Sequence, residues 1–138
     1  IGAGAAGLCA NASVTATQRE LAARLLGAVG VAVWLDDESL MDAVTALSGS
    51  GPAYVFLLLE LLTTAGAKLG LPAPLAAELA QATVEGAARL ARESGTAPGE
   101  LRRQVTSPGG TTERALASFA ADDLGGVVLR ALTAARDR

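Results

Sequence analysis

The sequence contains no histidine. That removes His-dependent triads, His-ligated metals and histidine general bases from anything these residues do by themselves. Its single cysteine, Cys9, has no partner for an internal disulfide and cannot build a thiolate zinc site alone. No metal site is expected, and Cys9 reads as a free structural thiol in a reducing, cytoplasmic setting. Aromatic residues make up only 3% of the chain, so any core must be aliphatic. The 11 basic residues are scattered, and against 14 acidic ones they leave a net charge of −3. A phosphate-binding face needs clustered Lys and Arg, so no nucleic-acid partner is expected. No basic segment followed by an apolar run opens the chain, so no secretory leader is expected.

What the chain has in quantity is Ala, Leu and Val, within a hydrophobic fraction of 51% over 138 residues. A composition rich in Ala and Leu and poor in Tyr, Phe and Ile favours helices over sheets. Small side chains also let helix backbones approach closely, which suits a helical bundle or a helical dimer. From Ala43 to Leu59 there is no charge, and Glu60 is the only one before Lys68. That run is nearly long enough to cross a bilayer. Ser48-Gly49-Ser50-Gly51-Pro52 lies in its middle, however, and is expected to split it into two short helices. A buried interface helix is the reading, with no membrane partner.

Along the chain, Gly7–Asn11 is read as a short strand. Thr15 and Gln18 have the spacing of a capping box opening a helix, with Leu21, Leu25 and Val29 on one face and a stop at Gly30. Val31–Leu35 reads as a second strand. Asp36, Asp37 and Glu38 are placed to cap a helix through Leu47. The apolar helix after Pro52 is expected to be central, with Lys68, Gly70 and Pro72 as stop signals. Pro74 opens a helix to about Glu93, with Leu75, Leu79, Ala82, Gly86 and Leu90 on one side and Glu85 paired to Arg89 on the other. Gly95 and Pro98 are read as its end, and two last helices are expected at roughly 112–121 and 124–136. The fold class is thus mainly α, a helical bundle preceded by a short β-α-β segment. Residues 1–36 look too small to close a sheet by themselves, which suggests that they once belonged to something larger.

Four motifs carry possible chemistry. Gly2, Gly4 and Gly7 satisfy G-x-G-x-x-G, but that fingerprint needs a preceding strand, a following helix and an acid about twenty residues on. None is present, so it is a decoy. Asp36, Asp37 and Glu38 could be an acid or metal cluster, though helix capping explains them. Ser48–Tyr54 is either a kinked helix junction or a surface on which a ligand or second domain meets bare backbone. Thr106-Ser107-Pro108-Gly109-Gly110-Thr111-Thr112 specifies a tight turn feeding a helix, where N–H groups, hydroxyls and the dipole converge. It is either an ordinary capped turn or an anion site for a carboxylate or phosphate.

Taken in order, Asp42–Tyr54, Ala65–Pro72, Gly86-Ala87-Ala88 and Val105–Thr112 resemble pyrroline-5-carboxylate reductase across nearly the whole chain. The resemblance implies an all-helical dimerisation and substrate-binding domain at 37–138, like the C-terminal domain of 6-phosphogluconate dehydrogenase. It implies that 1–36 is the tail end of a Rossmann-type cofactor domain. It implies NAD(P)H-dependent reduction of 1-pyrroline-5-carboxylate to L-proline, with NADPH or NADH bound mainly by a domain these residues lack, so that this stretch alone is inactive. The partners it implies are the cyclic imino acid, the product L-proline, and a second copy in a homodimer, assembled further into a decamer.

The resemblance also implies residue roles. Ser107, Gly109, Gly110, Thr111 and Thr112 would bind the substrate, with the Thr112 hydroxyl at the ring nitrogen as the catalytic group. Glu38 matches an acidic position tied to ligand binding. Thr45, Ser48, Gly49, Ser50 and Gly51 would face the cofactor and substrate. Two departures stand out: Ala120–Asp123 replaces a glycine-rich turn, and Arg130 stands where an acid is common. The alternative is a non-catalytic helical dimerisation or regulatory module derived from that domain.

Overall fold

The computed structural model describes residues 1–138. Strand β1 (Gly4–Leu8), helix α1 (Ala16–Gly27) and strand β2 (Gly30–Trp34) form a β-α-β unit. The two strands pair in parallel, from Gly4 opposite Gly30 to Leu8 opposite Trp34. The first strand therefore starts earlier than the expected Gly7 and ends before Cys9. The glycine pair explains the shift, because a Cβ on Gly30 would lie 2.1 Å from the Gly4 carbonyl oxygen. At the other end Asn11 breaks the strand by accepting the Ser13 N–H on Oδ1 at 3.0 Å, an Asx turn. Gly4 and Gly7 are thus strand residues, and no helix N-terminus lies over them. Gly7 instead leaves room for Val44, whose Cγ1 would be 2.9 Å from any Cβ there.

Helix α1 begins with the expected capping box. The Gln18 N–H donates to Thr15 Oγ1 at 3.3 Å and the Thr15 N–H to Gln18 Oε1 at 2.9 Å. It ends at Gly27 rather than Gly30, which is already the first residue of β2. Leu21, Leu25 and Val29 are exposed, so the predicted apolar face does not turn onto the sheet. The Arg19 guanidinium, 4.1 Å from the Trp34 ring centroid, ties α1 to β2 instead.

After β2, Asp37 caps a 3-10 turn (Glu38–Leu40) by accepting the Ser39 N–H at 2.8 Å. The hydrogen bonds from Ser39 hold the Asp37 carboxyl below its ordinary range. Helix α2 (Met41–Val44) then runs into a π-helical turn at Thr45–Gly49 and helix α3 (Gly51–Lys68). The predicted break at Ser48–Pro52 is therefore a widened turn, and the helical path is continuous. Two hydroxyls account for the widening. Thr45 Oγ1 donates to the Met41 carbonyl and Ser48 Oγ to the Val44 carbonyl, each at 2.9 Å. These back-bonds loosen the ladder, and the Ser50 N–H reaches the Thr45 carbonyl at 2.9 Å, five residues back. Pro52, which has no N–H to offer, is absorbed in the first turn of α3.

The unbroken path Glu38–Lys68 is 31 residues long and contains an 18-residue window of mean hydropathy 1.4, long and apolar enough to cross a membrane by length and composition. The glycine-proline segment does not shorten it, which overturns the reason given for setting a span aside. Nor is α3 central within its own chain: Phe56 is 68% exposed, and no α3 residue is buried.

The chain divides into two compact units, Ile1–Ala53 with Val128–Arg138, and Tyr54–Val127. In the second, α3 stops as expected, with Gly70 at φ 101 and the Leu71 N–H returning to the Gly66 carbonyl at 3.1 Å. Helix α4 (Ala73–Ser94) packs through Ala76 and Ala80, and the Ala76 Cβ would lie 3.2 Å from a Cβ on Gly66. The small residues set this close approach, while the predicted stripe of Leu75, Leu79 and Leu90 stays exposed. Arg89 pairs with Glu93 at 2.6 Å, not with Glu85.

Pro98 does not merely end α4. It opens a further helix, α5 (Pro98–Gln104), where its missing N–H has no role to lose. Helices α6 (Thr111–Ala121) and α7 (Leu124–Arg136) complete the chain close to their expected bounds. Asp123, in the turn between them, has φ 51, the left-handed conformation that a glycine would otherwise supply. The chain is mainly helical, yet its only buried hydrophobic residues are Ala46, Ala76 and Ala80.

Candidate functional site

The Ser107–Thr112 loop lies in the second unit and is built from a turn and a helix start. Pro108 and Gly109 occupy the turn's central positions, and the Gly110 N–H donates to the Ser107 carbonyl at 3.0 Å. Gly109 has φ 70, the positive value that a type II turn requires after its proline. A side chain there would be strained, so the Pro-Gly order follows directly from the backbone.

Gly110 is the N-cap of α6 and offers no side chain to the helix amides. The Arg114 N–H, bonded to the Gly110 carbonyl at 3.3 Å, is the first to find an intrahelical partner. The Thr111 and Thr112 N–H groups precede it and remain available, at the positive end of an 11-residue helix. Thr112 is half-buried and Ser107 exposed.

One of the loop's amides is already occupied. The Gly109 N–H donates to Glu113 Oε2 at 2.7 Å. Gly109 therefore supports the turn through φ and this bond, while Thr111 and Thr112 carry the open donors. Glu113 was not singled out in the sequence, although an acid in the first turn after a Gly-Thr-Thr run is a recognisable signal. The Thr106 hydroxyl is likewise committed, donating to the Arg102 carbonyl at 2.5 Å.

The remaining candidates lie in the first unit. Glu38 lines a cleft of about 380 Å³ together with Cys9, Ala10, Asn11, Val14, Asp36 and Asp37. These residues follow the carboxyl ends of β1 and β2, the edge at which parallel α/β sheets receive ligands. No three acidic or thiol groups there converge as metal ligands do. Cys9 and Asn11 are not neighbours of Glu38 in the sequence; only strand pairing brings them to one edge with the Asp36–Glu38 acids.

Thr45, Ser48, Gly49, Ser50 and Gly51 are gathered on the π-turn and the start of α3, apart from the lining of that cleft. The Thr45 and Ser48 protons are used within the helix, so these hydroxyls meet a ligand as acceptors. Nothing lies within 4 Å of a Cβ built on Gly51. Gly51 thus presents bare backbone beside a widened turn, a feature frequent at functional sites, whereas Gly49 lies 3.5 Å, measured from a Cβ built there, from Thr45 Cγ2.

A family model described as pyrroline-5-carboxylate reductase dimerisation matches residues 38–138. The pyrroline-5-carboxylate reductase of Pseudomonas aeruginosa is 56% identical over 135 residues, covering 98% of this chain and 50% of that protein. That of Pisum sativum is 40% identical over 138 residues, covering 100% of this chain and 50% of its own length. Among solved structures, the reductase of Coxiella burnetii superposes with a TM-score of 0.96 at 45% identity, over 99% of this chain and 51% of that one. The Plasmodium falciparum pyrroline carboxylate reductase, solved with NADP bound, gives 0.89 at 32% identity, over 99% and 52%. The chain spans about half the length of the curated relatives it matches.

Proposed function

The chain belongs to the pyrroline-5-carboxylate reductase family, and on that premise we propose that it supplies the substrate-carboxylate clamp and the homodimer interface of such an enzyme. The overall reaction is NAD(P)H-dependent reduction of 1-pyrroline-5-carboxylate to L-proline, in the cytoplasm. The observation that carries this reading is the Ser107–Thr112 turn, which leaves the Thr111 and Thr112 amides open at the start of α6.

A carboxylate needs donors and no counter-charge if a helix N-terminus faces it. In the proposed pose the Thr111 and Thr112 amides and the Ser107 hydroxyl hold the substrate carboxylate. The Thr112 hydroxyl lies at the ring nitrogen as the catalytic group. NADPH or NADH, when bound, supplies the hydride for the C=N carbon. A protonated cyclic imine is already electrophilic, so the electron pair of its C=N bond moves to nitrogen and leaves a neutral amine. The protein's task is therefore to orient reactants rather than to move protons, consistent with a chain that has no histidine.

Holding the cofactor falls mainly to a domain outside residues 1–138. Gly2, Gly4 and Gly7 form no phosphate-binding loop here, since the last two sit in β1. Residues 1–36 are read as the end of that cofactor domain's sheet, and 37–138 as the dimerisation and substrate domain. Thr45, Ser48, Gly49, Ser50 and Gly51 are assigned to the cofactor-facing surface, and Glu38 to ligand binding.

A second copy covering α3 would account for exposed Val55, Phe56, Leu57, Leu58 and Leu61 without a membrane. Such dimers would assemble further into a decamer. Titration of L-proline into the purified chain, followed by calorimetry, tests the clamp. Thr112→Val should abolish binding while Cys9→Ser leaves it unchanged; equal loss in both would overturn the assignment.

A further inference from the structure

The geometry points to Glu113 as a positioning residue of the loop, one that also limits how tightly an anion is held; this rests on reading Ser107–Thr112 as the carboxylate clamp. Glu113 is the acidic residue in the first turn of α6. Its Oε2 reaches back to the Gly109 N–H at 2.7 Å, a length usual for a charged acceptor. The bond fixes the peptide plane entering Gly109, while the Gly110 N–H is fixed on the Ser107 carbonyl. Two loop amides are thereby committed inward, and Thr111 and Thr112 are left as the outward donors. Glu113 thus decides which amides form the clamp.

The same carboxylate has an electrostatic effect of opposite sense. Glu113 takes part in no ion pair. Its full charge sits at the helix end where the substrate carboxylate docks, and offsets part of the helix's positive pole. Glu113 accordingly orders the clamp but weakens its grip, which favours release of an anionic or zwitterionic product. Gln at this position keeps the acceptor oxygen and removes the charge. Ala removes both.

The test uses this chain and cyclopentanecarboxylate, a ring carboxylate without the nitrogen, with Kd measured by calorimetry at low salt. Glu113→Gln should bind about three- to tenfold more tightly than wild type, the effect of one partly screened charge in the same helical turn. Glu113→Ala should bind at least threefold more weakly than Glu113→Gln, its loop no longer pinned, with Gly109 amide exchange accelerated. A purely structural cap would place Glu113→Gln between wild type and Glu113→Ala, and that order overturns the inference. If Ser107→Ala, which removes the hydroxyl placed on the carboxylate, loses binding while both Glu113 variants match wild type, Glu113 has no such role and the clamp stands. If wild type does not bind at all, the clamp itself fails, and the role of Glu113 with it. Circular dichroism melts of all variants separate these outcomes from loss of folding.

Discussion

Asp123 Oδ1 accepts the Gly126 N–H at 3.1 Å and so caps the start of α7 from a backbone held at φ 51. The two residues depend on each other. A Cβ on Gly126 would lie 2.0 Å from Asp123 Oδ2, so the carboxylate must swing away and release the cap. Gly126→Ala should therefore destabilise the protein by about 1 kcal/mol, despite the helix-favouring nature of alanine. Asp123→Asn, which caps and tolerates positive φ, should be nearly neutral. Thermal melts of the two variants check the contrast.

A harsher outcome is expected at the strand pair. The Cβ of Gly30→Ala would meet Gly4 backbone atoms at 2.1 to 2.5 Å, and backbone cannot rotate aside as a side chain can. The substitution should cost about 2–3 kcal/mol or more and unpair β1 from β2. Faster hydrogen exchange at the β1 and β2 amides, with α4 unaffected, is the diagnostic result.

Asp37 provides a pH signature. Its hydrogen bonds from Ser39 lower the carboxyl pKa in the folded state from the ordinary 3.8. A depressed folded pKa means that the unfolded chain takes up the proton first. The contribution is thus fully present well above 3.8 and is lost as pH falls through the lower folded value. Asp37→Asn should flatten the acid limb of the stability curve between 3.8 and that lower folded value, as followed by denaturant melts at stepped pH.

The exposed face of α3 predicts self-association. Phe56, at 68% exposure, should be buried against a second copy, so Phe56→Lys should convert a dimer into monomers prone to unfolding. Sedimentation velocity reads the change. An unchanged dimer would assign the apolar helix to a different partner.

The elements with purely local causes were readable in the residues. Thr15 and Gln18 announced their capping box, Gly95 closed α4 in the left-handed conformation, and Pro108-Gly109 specified the Ser107–Gly110 turn. Pro98 was misread because proline punctuates both the end of one helix and the start of the next. Ser48–Pro52 was misread because its hydroxyls, by bonding back to carbonyls, convert a break into a π-turn. Glu113 went unnoticed because it bonds the Gly109 N–H, one residue before the N-cap, and not the N-cap N–H that a capping box would lead one to expect.

The residues by themselves determined the helical class, the turn of the Ser107–Thr112 loop and the likeness to a reductase half. Each depends on neighbours within a few positions, or on words spaced along one chain. Only the tertiary structure decided which apolar faces are covered. Hydrophobic periodicity marks a face that avoids water without saying what hides it, so α3, expected to be central, and the Leu75–Leu90 side of α4 both prove exposed. The same limit applies to the Ser107–Thr112 loop: the sequence placed the amides together, and the fold decided which of them Glu113 had already taken.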